Sequence, residues 1–256
     1  MKSIAIVGAG VAGLRAALEL IKEHKVSLFE KSPSVGGRIA TRRFGEVMVN
    51  HGAPKFDGSE YLDGDLMGKF FLLDESFPGA ATDFPKRMRD KLLENQNLSV
   101  LFQSKVLSIS EDVVLTLEDG KKSSFDDVII TAPVPQVREL LGQNVLPQIT
   151  YSKQILFIGE ENQLPVRIEM SEQFSEKYFN ESEDLIREKA SQEMKRPLHS
   201  LDLKKWRYSR VLTGYQNYFF EFNPNIILAG DAFDPGEQYH LGAAWVSGLK
   251  AARKLL

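Results

Sequence analysis

Residues 3–30 read SIAIVGAGVAGLRAALELIKEHKVSLFE. Ser3 to Val7 is a short apolar, β-branched run of the kind that forms a buried strand. Gly8-Ala9-Gly10 interrupts it, and Val11, Leu14, Ala17, Leu18 and Ile21 then recur at helical spacing. Val26 to Phe29 is a second strand, closed by Glu30-Lys31. Strand, turn, helix and strand within so short a span make a βαβ unit with a right-handed crossover. The turn holds Gly8, Gly10 and Gly13 in the pattern GxGxxG. In a chain of this composition three glycines fall at that spacing by chance roughly once in ten sequences, so the flanking strand and helix and the acid at Glu30 make the motif informative. Gly8 permits a tight turn, Gly10 lets backbone approach a pyrophosphate, and Gly13 lets the helix pack closely on the strand. Val11 and Ala12 open the helix, whose first N–H groups and positive dipole end suit an anion. Glu30 is placed to accept hydrogen bonds from a ribose diol, and its charge disfavours a 2′-phosphate there. Lys31 is assigned to the same cofactor. The residues imply a dinucleotide and leave NAD and FAD both open.

Working outward, residues 36–43 read GGRIATRR. In this fold the loop after the second strand passes over the pyrophosphate from the opposite side. Gly36 and Gly37 leave backbone N–H groups free of a nearby Cβ, and Arg38 can make charge-assisted, bidentate contacts with phosphate. A second clamp suits an extended, buried cofactor that stays bound, which favours a flavin over a nicotinamide. Arg42 and Arg43 are divided between a cofactor or substrate role and a solvated or helix-terminal one.

Bulk properties narrow the classes. The chain has 256 residues, 43% of them hydrophobic and 26% charged, with a net charge of −3. No basic footprint points to nucleic acid. Residues 1–60 carry nine Lys or Arg against six Asp or Glu, whereas residues 160–190 carry four against nine. Cysteine is absent and there are four histidines, which removes disulfides, a cysteinyl cofactor link and a thiolate metal site, and leaves no case for zinc. The N-terminal apolar run is broken by glycines, Arg15 and Glu19, so it reads as structure and not as a targeting signal, and no segment reads as a membrane span. The expected location is cytoplasmic.

Farther along, residues 85–95 form a candidate helix, and residues 98–126 read as a small antiparallel meander with an Asp119-Gly120 hairpin turn. Asp127 to Ala132 is a buried strand that stops at Pro133. Residues 136–221 are acidic and aromatic-rich, with strands at QILFIGE and PVRIEM and a charged helix near 181–195. Asn225 to Ala229 returns to buried-strand character, and an apolar-striped helix runs from Gly242. The expected architecture is α/β with an α+β insert: a Rossmann-like, three-layer dinucleotide-binding domain from 1–60, 95–135 and 222–256. A smaller mixed substrate domain comes from 61–94 and 136–221.

The stretches VGAGVAGL, FEKSPSVGGRIATRR and NHGAPKF, with ITAP at 130–133, KKWRYS at 204–209 and ILAGDAF and GAAWVSGLKAA near the end, resemble the flavin-dependent amine oxidase superfamily. Within it the chain most resembles the renalase-like NAD/FAD-dependent oxidoreductases. HGAPKF departs from the family, which more often has Gln and an aromatic where this chain has Pro54 and Lys55. The resemblance implies non-covalent FAD, with Val106 backbone at the adenine edge and Asp231, after Gly230, on a ribityl hydroxyl. It also implies a helix N-terminus near Gly242, with Ala244 and Trp245, at the flavin pyrimidine. A helix dipole there favours the reduced, anionic flavin by about 0.3–1 kcal/mol.

No Ser-His-Asp order or metal cluster stands out, so the cofactor carries the chemistry: hydride passes to flavin N5 from a small-molecule substrate. The resemblance implies an isomeric dihydronicotinamide as donor and dioxygen, or another acceptor, as oxidant. His51, Gly52 and Ala53 are candidates to pass near the flavin and the substrate. If Trp206 and Tyr208 lie on a strand they share a face and can flank a planar ring. Two other readings stay open: an amine oxidase or desaturase of the same superfamily, and an FAD-binding module with little catalysis.

Overall fold

The computed structural model describes residues 1–39, 41–53, 89–90, 92–142, 146–237 and 241–256. Pro54 and Lys55, most of the 61–94 segment and the first part of the candidate helix at 85–95 lie outside them; residues 89, 90, 92 and 93 are helical.

The centre is a six-stranded sheet. β1 (Ser3–Val7) lies between β2 (Lys25–Phe29) and β9 (Asp127–Ile130), parallel to both. β5 (Leu98–Leu101) extends the sheet beyond β2, and β16 (Ile226–Leu228) extends it beyond β9, all in parallel. Antiparallel β15 (Phe220–Asn223) forms the far edge. The expected meander at 98–126 is therefore corrected at its start: Leu98–Leu101 belongs to the parallel sheet. Burial on both faces explains the near-continuous apolar runs of these strands.

The period of two in β1 builds three layers. Ile4 and Ile6 face one side, where α1 (Val11–Leu20) and α5 (Leu241–Leu255) pack with Leu14, Ala17, Trp245 and Ala252. Ala5 and Val7 face the other side, with Val128, Ile130 and Leu228. That second face is covered by the three-stranded meander β6 (Val106–Ile109), β7 (Val114–Leu117) and β8 (Lys122–Ser124), through Val106, Leu115 and Leu117. Gly120, at φ +83°, turns β7 into β8. α2 (Val134–Leu141) packs on the same side through Val134 and Val137. This helix was not expected from sequence. It starts at Pro133, a residue that interrupts a strand and also suits a helix N-terminus.

Two glycines set the closeness of these layers. A Cβ on Gly13 would lie 1.9 Å from the Gly8 carbonyl oxygen, and one on Gly248 in α5 would lie 2.2 Å from that of Ala12. Neither backbone tolerates a side chain there.

Residues 150–213 carry separate sheets. β11 (Gln154–Glu161) pairs with β12 (Leu164–Glu169) on one edge and β13 (Asp202–Trp206) on the other. β10 (Thr150–Tyr151) pairs with β14 (Val211–Thr213). α3 (Glu172–Tyr178) and α4 (Glu183–Met194) cover β11 with Phe174 and Ile186 packed on Ile155 and Phe157. A further hairpin, β3 (Thr41–Phe44) and β4 (Val47–Asn50), turns at Gly45 and packs Val49 against Leu156 and Ile158. Sequence analysis gave no sign of this hairpin.

Candidate functional site

The chain leaves β1 toward β2 on one side and returns to β9 on the other. The carboxyl ends of β1 and β9 therefore form a topological switch point, where open α/β sheets bind ligands. Gly8, at φ +108°, ends β1. Thr131 ends β9, and its hydroxyl donates to the carbonyls of Val7 (3.1 Å) and Gly8 (3.0 Å). Leu14 N donates to Gly10 O in the first bond of α1, so the N–H groups of Val11, Ala12 and Gly13 have no acceptor inside the helix.

Gly10 is the informative glycine. It caps α1 with φ −77° and ψ −174°, a conformation open to any residue, and has no side-chain cap. A Cβ built on it meets nothing within 4 Å. Neither backbone strain nor protein packing requires glycine here. Ser, Asp or Asn would cap the helix better, so a group that must approach this backbone is the physical reason left. A phosphate at the helix N-terminus is such a group.

Gly37 comes against the same spot. It adopts φ +54°, and a Cβ on it would lie 3.3 Å from the Gly10 Cα. Gly36 N donates to Ala9 O at 2.9 Å. Glu30, nearly buried, orders both loops: Oε2 accepts from Ala9 N (2.9 Å) and Oε1 from Ser32 N (2.8 Å). Each oxygen keeps a lone pair for a further donor. Lys31 is exposed.

Arg38 projects from the short 3-10 turn Gly37–Ile39. Its Nη2 lies 2.5 Å from Asp231 Oδ1, and its Nη1 donates to the carbonyls of Tyr208 (3.4 Å) and Ser209 (3.5 Å). Burial works against its charge, and Asp231 more than restores it, so the guanidinium pKa is raised. Gly230, at φ +150°, ends β16 and donates its N–H to Ser247 Oγ on α5 at 2.8 Å. The structure thus brings Gly8, Gly10, Val11, Ala12, Gly13, Glu30, Gly37, Arg38, Gly230 and Asp231 to one end of the sheet. Backbone N–H groups and a guanidinium fit a diphosphate, and the Asp231 carboxylate fits a hydroxyl.

The remaining cofactor candidates are on β6 and α5. Val106 is buried in β6 under the sheet's second face. Ala244 and Trp245 are interior residues of α5; Trp245 is 1% exposed and carries the Arg15 guanidinium 5.2 Å from its ring centroid. Arg42 pairs with Asp202 on β13, and Arg43 is exposed.

His51, Gly52 and Ala53 follow β4 in a segment tied from several sides. Asn50 accepts from Gly52 N (2.9 Å) and donates to Ala53 O (3.1 Å). Ala53 N donates to Arg38 O at 2.7 Å, which links this segment to the arginine clamp. Arg167 on β12 donates to the carbonyls of Asn50 (2.9 Å) and Gly52 (2.7 Å). Trp206 donates its indole N–H to His51 O at 3.0 Å and stacks on the His51 ring, centroids 5.7 Å apart. Burial, with Lys204, Arg167 and Arg42 around it, lowers the His51 pKa to about 4, so the ring is neutral at pH 7. The sequence reading missed Arg167: nothing local marks a strand residue that bonds a loop more than a hundred positions away.

The expected strand through Trp206 and Tyr208 is corrected. β13 ends at Trp206, and Arg207 and Tyr208 form a turn. Trp206 therefore faces His51, while Tyr208 packs edge-on against Tyr151, centroids 5.3 Å apart. The two rings do not share a wall.

Among the described residues, no group of three or more His, Cys, Asp or Glu is placed to hold a metal ion. None of the described helices is long and apolar enough to cross a membrane.

Comparison with known proteins bears on the same regions. Residues 6–68 match the NAD(P)-binding Rossmann-like domain family, and residues 56–155 match the flavin containing amine oxidoreductase family. A flavin-dependent L-tryptophan oxidase of Lentzea aerocolonigenes is 54% identical over 76 residues, 28% of this chain and 16% of that protein. An L-amino acid oxidase of Crotalus durissus cumanensis is 30% identical over 177 residues, 66% of this chain and 34% of that protein. The chain thus spans about a third of the length of the second relative and less of the first. Among solved structures, a putative protoporphyrinogen oxidase from Exiguobacterium superposes with a TM-score of 0.67 at 13% identity, covering 99% of this chain and 98% of that one. A protein from Pyrococcus furiosus superposes with a TM-score of 0.62 at 14% identity, covering 99% and 97%. At that identity the likeness is one of fold.

Proposed function

We infer that this chain of the flavin-containing amine oxidase superfamily, with its NAD(P)-binding Rossmann domain, works as an FAD-dependent oxidoreductase on a small-molecule hydride donor. One observation carries the reading. Gly10 faces open space in an unstrained conformation at a helix N-terminus, with Gly37 against it. FAD held in that cradle supplies a hydride acceptor, and dioxygen or another acceptor takes the electrons onward.

The residues have separable roles in this reading. The α1 N-terminus at Val11 to Gly13 and the Arg38 guanidinium hold the diphosphate. Glu30 accepts from the adenosine ribose while fixing the two loops. Asp231 accepts from a ribityl hydroxyl, and the start of α5 turns its positive end to the ring system. Gly52 and Ala53 would pass close to the ring because both are small, with Arg167 fixing the Gly52 carbonyl and Trp206 that of His51. Residues 1–60, 95–135 and 222–256 make the cofactor domain, and 61–94 with 136–221 the substrate domain.

The donor we favour is a dihydronicotinamide, including isomeric forms of NAD(P)H. Such a ring needs no base from the chain: its nitrogen lone pair expels hydride as the ring aromatises. That agrees with His51, a neutral ring with a low pKa and a stacked indole behind it. A second reading, oxidation of an amine or an L-amino acid, is favoured by the relatives named as L-tryptophan and L-amino acid oxidases.

The test is the visible spectrum of the FAD-reconstituted protein under anaerobic conditions. Bleaching within seconds on adding an isomeric dihydronicotinamide mixture, with recovery in air, is expected. Bleaching only with L-amino acids or amines selects the second reading, and absence of flavin bands after reconstitution overturns both.

A further inference from the structure

The Arg38–Asp231 pair has a neighbour from the inserted region that neither the sequence motifs nor the family matches assign. Tyr151 sits in β10, locked by its pairing with Val211 in β14 and by the edge contact with Tyr208. Its hydroxyl accepts the N–H of Val134, the first residue of α2, at 3.3 Å. A hydroxyl that accepts there still has its own proton to donate. The carbonyls of Tyr208 and Ser209, in the segment beside Tyr151, accept from Arg38 Nη1. The phenol is thus held at the Val134 N–H, and it lies near enough to the Arg38 guanidinium and the Asp231 carboxylate to feel both charges.

The geometry points to Tyr151 as a diphosphate-binding residue contributed by the insert, donating its phenolic proton to a phosphate oxygen beside Arg38. This rests on the cofactor reading above. The electrostatics favour it. Two of the three groups around the phenol, the Arg38 guanidinium and the α2 N-terminus, are positive or positively polarised, so together with the hydroxyl they favour an anion. Burial and the nearby Asp231 carboxylate raise the Tyr151 pKa, against the opposing effect of Arg38, so the phenol remains a donor across the physiological range. The position also has a structural consequence. Tyr151 and the 208–209 carbonyls belong to the insert, whereas Arg38 and Asp231 sit on loops at the end of the central sheet. A diphosphate held by Arg38 and Tyr151 ties the two together.

The experiment compares wild type with Tyr151→Phe by titrating FAD and, separately, ADP, which carries the diphosphate without the flavin. The melting temperature of the ligand-free protein is read alongside. Loss of a hydrogen bond to a charged group weakens both ligands by about tenfold or more. An equal loss for FAD and ADP, in a variant that melts close to wild type, is the expected result. Unchanged affinity for both overturns the assignment, and a lower melting temperature alone reduces Tyr151 to a structural residue. Loss for FAD alone overturns the phosphate contact, placing the phenol at the flavin end. A wild type that binds ADP but not FAD would leave Tyr151 standing and sink the flavin reading. One that binds neither would overturn both.

Discussion

At the scale of single residues, two glycines of one motif do different things. The Gly13 Cβ position is filled by the Gly8 carbonyl, whereas the Gly10 position meets no protein atom within 4 Å. Gly13→Ala is therefore expected to cost about 3 kcal/mol or more of stability through backbone overpacking. Gly10→Val is expected to leave the melting temperature of the ligand-free protein within a few degrees of wild type and to lower FAD affinity more than about a hundredfold, since it blocks a close approach worth several kcal/mol. Thermal melts and flavin titrations separate the two, and a Gly10→Val protein with full FAD affinity would displace the phosphate site. His51 gives a pH signature. Its folded pKa of about 4 lies below the ordinary 6.5. Between those values the unfolded chain takes up a proton that the folded chain refuses, so stability falls as pH drops through that window and levels off below it. Denaturation midpoints between pH 7 and 4 should show a shallower fall in His51→Gln than in wild type.

At the scale of elements, α1 and α5 are held at a distance set by Gly248, whose Cβ position lies 2.2 Å from Ala12 O. Gly248→Val should separate the two helices and lower stability by about 3 kcal/mol or more; a variant that melts like wild type would mean the helices relax apart without loss. The insert helices have ordinary caps. Ser171 accepts from Phe174 N at 3.1 Å and Ser182 from Leu185 N at 3.3 Å. Ser182→Ala is expected to cost about 1 kcal/mol in chemical denaturation. Elements with an unambiguous local period were legible. SIAIV is a strand at its expected limits, and the helix begins at Val11, directly after Gly10. The β3–β4 hairpin was not, because its Thr-Arg-Arg-Phe strand has little apolar alternation and its packing partners, Leu156 and Ile158, lie far away in sequence. The Leu98–Leu101 strand was misassigned for a related reason: a short apolar run next to a meander carries no mark of which sheet it joins.

At the scale of the whole molecule, cofactor and fold should be linked by mass action. FAD at about a hundred times its dissociation constant adds about 2.7 kcal/mol of stability, which for a chain of this size is a rise of roughly 5–10 °C in melting temperature. A melt insensitive to FAD would contradict the proposed function. Because Arg38 bonds both the C-terminal strand end and the 208–209 carbonyls, the same ligand should protect residues 206–211 as well as the glycine loops in amide hydrogen exchange.

The sequence alone determined the central βαβ unit, the glycine turn and the acid that closes the second strand, because these depend on local periodicity and on residue types with few other uses. It also marked Gly36-Gly37-Arg38 as a companion to the first loop. Only the tertiary structure decided what Arg38 meets, since Asp231 and the 208–209 carbonyls reach it through strands from remote parts of the chain. It parted Trp206 from Tyr208, because β13 ends at Trp206 and the next two residues turn. It also brought Arg167 to the 50–52 carbonyls and Tyr151 to the α2 N-terminus. Local pattern specifies elements, whereas side-chain partners across long loops are set by how those elements pack, and no spacing in the sequence encodes that.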